Sequence, residues 1–148
     1  MITDILALVR LLSDANVDYV IVGGVAANIH GALRTTLDLD IVYGRSPENV
    51  TRLAQALAPY QPYLRGAPEG LPFVLDSVTI LRGLNFTLTT TIGDIDLLGE
   101  ITGGGRFEQL VARAEPLELE GRRCLVVTLE TLIALKRAAG RAKDREAL

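Results

Sequence analysis

The sequence predicts an α/β (α+β) fold, a single mixed β-sheet with helices packed on it. Three observations carry this expectation. The chain opens and closes on stretches whose apolar residues recur every three or four positions, the period of a helix: "MITDILALVRLL" and "LETLIALKRAAG". Short β-branched runs lie between them, "VDYVIV" stopped by Gly23 and Gly24, and "LDLDIVY". A longer Thr-, Ile- and Leu-rich stretch, "VTILRGLNFTLTTTIGDIDLL", is punctuated by Gly83 and Gly93 and reads as two or three consecutive antiparallel strands.

Taken in order, the first helix carries Ile2, Ile5, Leu6, Val9 and Leu12 on one face, starts near Thr3 or Asp4, and ends around Asp14 to Asn16. The strand "VDYVIV" feeds the Gly-Gly turn, and "VAANIHGA" is a short helix of small residues ending near Gly31. After the "LDLDIVY" strand, Ser46 as N-cap, Pro47 at the first helical position and Glu48 in the first turn start a helix through "SPENVTRLAQALAPY". The stretch "QPYLRGAPEGLP", broken by Pro and Gly, reads as a surface loop. "GGGRFEQLVARA" turns into a helix, and "LELEGRRCLVVT" is a hairpin about Gly121 with an exposed basic tip. Thr128 and Thr131 open the final helix, which "RAKDREAL" extends by a turn or two.

A length of 148 residues suits one domain spanning residues 1–148, large enough to fold on its own core without disulfides or a structural metal. A net charge of -3 argues against a large sequence-blind nucleic-acid footprint, while leaving room for a small basic patch. The single cysteine, Cys124, lies in the apolar run "CLVV" and reads as a packed thiol, which points to a reducing, cytoplasmic setting. No apolar run approaches the ~20 residues of a membrane span, and the N-terminus lacks the cationic leader of a signal peptide.

Chemistry enters with the carboxylates. Asp38 and Asp40 alternate with Leu37, Leu39 and Ile41, so the acids share one face of the strand, ~6.8 Å apart, and the apolar residues face the core. Two bare carboxylates that close repel, an arrangement suited to a hard divalent cation; on these residues alone a solvated edge strand is the simpler reading. Two other stretches shift that balance. Gly23-Gly24 between a strand and a helix permits a tight turn with amide groups aimed at an anion. "GDIDLL" then supplies a second acid pair, Asp94 and Asp96, on one face of another strand. Together these are parts suited to magnesium ions bridging phosphates.

At this point "VGGVAANIHGALRTTLDLDIVY" resembles the signature of the DNA polymerase β-type nucleotidyltransferase superfamily: an apolar strand, a Gly-Gly or Gly-Ser turn, a spacer, then Asp-x-Asp on the next strand. Within it, "HGALRTTLDLD", the carboxylate strand "TTTIGDIDLLGEITG" and the tail "LIALKRAAGRAKDREAL" are most similar to AbiEii-type toxin nucleotidyltransferases. The likeness runs from about Val22 to the C-terminus.

The resemblance implies a nucleotidyltransferase-like fold in which Asp38, Asp40 and Asp96 are catalytic and ligate two Mg2+ ions, for which Mn2+ can substitute. Gly23 and Gly24 would cradle the triphosphate of an NTP, and Lys136, with Arg141, Lys143 or Asp144, would reach it from the last helix or hold the site's shape. The wider superfamily has serines where this chain has Gly24 and Leu37, so hydroxyl contacts to phosphate would come from Thr35 or Thr36. Thr36 thus joins Gly23, Gly24, Arg34 and Lys136 in the nucleotide-binding set. Arg34 equally suits a loop ion pair, Lys136 a solvated helix face, and His30 a packing or helix-end contact. Asp94 falls where the relatives are usually not acidic, and Thr89 to Thr91 read as β-formers.

The implied activity is transfer of NMP from an NTP to an acceptor hydroxyl such as an RNA or tRNA 3′ end, in a toxin with a cognate antitoxin. A catalytically silent nucleotide-binding or regulatory domain of the same fold is the alternative. An antitoxin-like partner protein whose acids bind no metal is a third.

Overall fold

The computed structural model describes residues 2–147; Met1 and Leu148, which the predicted domain and final helix include, lie outside the described residues. In chain order the elements are α1 (Ile5–Asp14), β1 (Tyr19–Val22), α2 (Gly23–Ile29), β2 (Asp38–Tyr43), α3 (Pro47–Leu57), a 3-10 turn (Ala58–Tyr60), β3 (Tyr63–Leu64), α4 (Ser77–Arg82), β4 (Asn85–Thr90), β5 (Gly93–Leu98), α5 (Phe107–Val111), β6 (Ala114–Leu119), β7 (Arg122–Val127) and α6 (Leu129–Ala147). The strands form one seven-stranded sheet in the order β3-β4-β5-β2-β1-β7-β6. β2 runs parallel to β5 and antiparallel to β1, and β1 runs parallel to β7, so the sheet is mixed, as the sequence predicts.

The caps behave as their chemistry requires. Asp4, not Thr3, caps α1 by accepting from the Ala7 amide, and the Ser46 hydroxyl accepts from Asn49 N–H at the start of α3. Thr128 opens α6, its Oγ1 accepting from the Thr131 amide. The β6–β7 hairpin turns through Glu120 and Gly121, both at positive φ, and its Arg122 pairs with Asp14 at 2.8 Å. His30 ends α2 with Nε2 2.7 Å from the Val127 carbonyl, a packing role in line with the sequence. Cys124 is buried, which pushes its thiol pKa up.

Four expectations need correction. Ile2, expected on the apolar face of the first helix, precedes α1 and is 95% exposed, because the Asp4 cap starts the helix after it. "VTILR" is the helix α4 and not a strand: Asp76 caps it by accepting from Thr79 N–H, and it packs on α3 with Ile80 fully buried, overriding the β-branched preference. The Pro- and Gly-broken loop holds β3, a two-residue edge strand too short for any periodicity. Leu37 does not point into the core; it precedes β2 and is 74% exposed, whereas Leu39 and Ile41 are fully buried.

The core is built from α1, β1, β2, α3 and β5, with Leu8, Leu12, Ile21, Leu39, Ile41, Leu53 and Ile95 fully buried. One buried polar residue ties it together. The Asn49 side chain accepts from Asp18 N–H and donates to the Asp18 and Gly44 carbonyls, joining α3 to the outer ends of β1 and β2. Anchored there, β2 carries Asp38 and Asp40 towards its opposite end, beside the end of β1 that leads into Gly23. Among the described residues no helix is long and apolar enough to cross a membrane.

Candidate active site

Strand registry assembles the site. Asp40 lies opposite Val22 on β1 and beside Asp96 on β5, and Asp38 lies beside Asp94. Because side chains alternate along strands, all four acids stand on one face, while Leu39, Ile41, Ile95 and Leu97 fill the core on the other. Asp38, Asp40 and Asp96 each place one carboxylate oxygen within 4.8 Å of the others.

The glycines at the start of α2 border this cluster. Gly23 has φ +68, and a Cβ built there would lie 2.1 Å from Asp40 Oδ2. Its bareness lets the Asp40 carboxylate lie against the backbone that opens α2. The same construction at Gly24 meets the Thr36 methyl at 3.1 Å, so Thr36, half-buried, packs on the start of that helix.

Electrostatics mark the cluster as incomplete. Burial, reinforced by the neighbouring charges of Asp38 and Asp96, pushes the Asp40 pKa up to about 8. Burial also raises Asp96, against the opposing pull of Arg65. Asp40 Oδ1 is buried and accepts no hydrogen bond. An orphaned carboxylate oxygen inside a three-acid cluster is chemistry that a hard divalent cation satisfies, and these donors fit one.

Sequence reasoning missed Arg65. It follows β3, and its guanidinium spans the acidic face: Nη2 donates to Asp96 Oδ1 at 2.8 Å and to the Leu88 carbonyl at 2.7 Å. Nε lies 3.3 Å from Asp94 Oδ2, and Nη1 lies 3.6 Å from Asp38 Oδ2. The pairing gives Asp94 a partner and thereby a structural reason to be acidic. In the sequence the surplus of acids on two strands asked for a counter-cation, but nothing singled out Arg65.

Arg34 and Lys136 are exposed and pair with no carboxylate among the described residues; the backbone of Arg34 is held by the Asn28 side chain. Among the described residues neither forms a hydrogen bond or ion pair with the acidic cluster.

Thr3 is a second residue that the sequence did not assign to the site. Its Oγ1 donates to the Leu37 carbonyl at 2.6 Å and accepts from the Asp94 amide at 2.9 Å, tying together the starts of β2 and β5. Thr3→Val leaves both backbone groups without this partner, and we expect a stability loss of about 2 kcal/mol. Mn2+ binding weakens with it, while Thr3→Ser retains most of both. Thermal melts paired with Mn2+ titrations check this.

No protein-family model matches the chain, and no curated protein matches it. Among solved structures, it is similar to the crystal structure of "a putative nucleotidyltransferase" from Thermotoga maritima, with a TM-score of 0.65 and 17% identity. That likeness covers 99% of this chain and 92% of the other. The chain therefore has a nucleotidyltransferase-like fold, with its acidic cluster on the face of the two paired strands β2 and β5.

Proposed function

We propose that this protein is a metal-dependent nucleotidyltransferase that moves NMP from an NTP onto an acceptor hydroxyl. The supporting observation is the meeting of Asp38, Asp40 and Asp96 beside Gly23, on a fold of this type. Mg2+, with Mn2+ as a substitute, is the cation such oxygen donors favour, and Asp38, Asp40 and Asp96 are the residues that would hold it. A bound pair of such ions would stabilise the charge that builds on the attacking and departing oxygens.

The protein's own groups do the rest. Asp96, beside Asp40 in the strand register, is placed to accept the proton of the acceptor hydroxyl. Gly23 and Gly24, with the Thr36 hydroxyl, bind the triphosphate at the opening of α2. Arg34 and Lys136 offset its charge from outside. The family likeness favours an RNA 3′ end, such as that of tRNA, as acceptor, and a toxin neutralised by a cognate antitoxin in the cytoplasm.

Incubation with labelled NTPs, Mg2+ and total RNA tests the reading. Labelled RNA is expected from the parent protein and none from Asp96→Ala; label transfer that persists in Asp38→Ala or Asp96→Ala overturns it. The silent nucleotide-binding alternative draws support from Arg65, which already neutralises part of the cluster. Tight ATP binding without any product would favour it.

A further inference from the structure

We propose that Arg65 is a built-in competitor of the divalent cation: its guanidinium holds Asp38 and Asp96 until a metal displaces it, and Asp94 retains it at the rim. The inference rests on the metal-binding reading above. It concerns what the chain's own cation does at that site.

The geometry carries the argument. Arg65 reaches the two acids that stand at either side of the cluster, Asp96 at 2.8 Å and Asp38 at 3.6 Å, and it makes no contact within ion-pair range with Asp40. The guanidinium therefore hydrogen-bonds one of the three acids, faces a second at ion-pair distance, and leaves the third, Asp40 Oδ1, orphaned. A guanidinium is a flat fork, and it cannot place a charge at the centre of three converging carboxylates as a small spherical ion can. The fit is incomplete on the cation's side as well. Arg65 Nε is buried and makes no hydrogen bond, because Asp94 Oδ2 at 3.3 Å is near but poorly aligned.

Arg65 also sits where exchange is easy. It immediately follows a two-residue edge strand and precedes Gly66 at φ +79, and although its amide is held by the Thr87 carbonyl, its long side chain is free to pivot from that anchor. Asp94 lies on the same face as Asp96, one pleat further along β5, so a guanidinium that gives up Asp96 and Asp38 keeps a carboxylate beside it. Metal and Arg65 cannot both be fully paired with the same oxygens. Like charges a few ångströms apart in a partly buried site oppose one another strongly, so each weakens the other's hold.

The experiment is an Mn2+ titration by calorimetry on the full chain at mildly alkaline pH, comparing the parent with Arg65→Gln and Arg65→Lys. Arg65→Gln is expected to bind Mn2+ roughly tenfold more tightly, while melting several degrees lower without metal. Arg65→Lys, which keeps the charge, is expected to stay near the parent affinity. In parallel, the Arg65 Nε–H resonance of the parent protein, assigned by its loss in Arg65→Lys, is expected to shift when Mg2+ is added to saturation.

Mn2+ bound no more tightly by folded Arg65→Gln overturns the inference. Should that variant fail to fold, an Arg65 resonance unmoved by saturating Mg2+ overturns it instead. Absence of Mn2+ binding in every protein overturns this inference and the metal-dependent function together. Tighter binding in Arg65→Gln without nucleotidyl transfer by the parent supports the inference and removes the function alone.

Discussion

Asp40→Asn is expected to abolish divalent-metal binding and to lower nucleotidyl transfer by roughly a thousandfold or more, while leaving the metal-free protein at least as stable as its parent near neutral pH. The two effects have opposite signs because they draw on opposite forms of one carboxyl group. In the folded protein, burial and the charges of Asp38 and Asp96 push Asp40 up to about 8 from 3.8. Its protonated form is the one that folding favours. Its stability contribution is thus fully present below about pH 4, is lost as pH rises through the folded value, and is gone above about pH 8. Asp96, also raised, acts in the same direction. Asparagine does not titrate, so the variant's melting temperature should fall less between acid and mildly alkaline pH. Metal reverses the slope for the parent, since it binds the ionised carboxylate and stabilises most where the metal-free protein is weakest. Melting curves across this range with and without Mn2+ check both signs. An Asp40→Asn protein that still gains stability from Mn2+ would show that Asp40 is not a ligand.

Gly23→Ala is expected to cost about 3 kcal/mol of stability and to remove Mn2+ binding, although it adds one methyl group. Two penalties coincide at this position. The backbone is at φ +68, where a side chain is strained, and the new Cβ would stand 2.1 Å from Asp40 Oδ2 and 2.9 Å from Asp40 Cγ. Asp40 cannot retreat along its strand, because its backbone is registered between Val22 and Asp96. Relief requires rotating the carboxylate out of the cluster, which is why metal affinity goes with stability. Gly24→Ala is the control. Its Cβ meets only the Thr36 methyl, at 3.1 Å, and alanine is the better helix former, so a change within about 1 kcal/mol is expected. Chemical denaturation and Mn2+ titration of the two variants separate a clash at one glycine from a general intolerance of the turn.

The spacing of Asp38 and Asp40 shows how much of the site was legible before the fold. Alternation along one strand is a local property, so two acids separated by one apolar residue had to share a face, and Asp94 and Asp96 likewise. The family likeness singled out Asp96 over Asp94, and the registry places Asp96 directly beside Asp40. Arg65 and Thr3 were beyond reach for a different reason. Arg65 is 31 residues from Asp96 in the chain and Thr3 is 91 from Asp94, and neither lies in a segment whose pattern reports on the other. The α4 segment failed for a related cause: Val78, Thr79 and Ile80 favour strands locally, and only the Asp76 cap and the packing of Ile80 on α3 decide for a helix.

By itself, then, the amino-acid order determined the periodicities, the caps at Ser46 and Thr128, the mixed sheet with its covering helices, and the two acid pairs, each on one face of its strand. Only the tertiary structure decided that β2 and β5 lie side by side in a register that brings three carboxylates within 4.8 Å, that Gly23 is bare to admit one of them, and that Arg65 spans the acids. The physical reason is range. Alternation and capping are settled within a few residues by backbone geometry, whereas the pairing of strands and the neutralising of buried charge depend on groups that meet only when the chain has closed around its core.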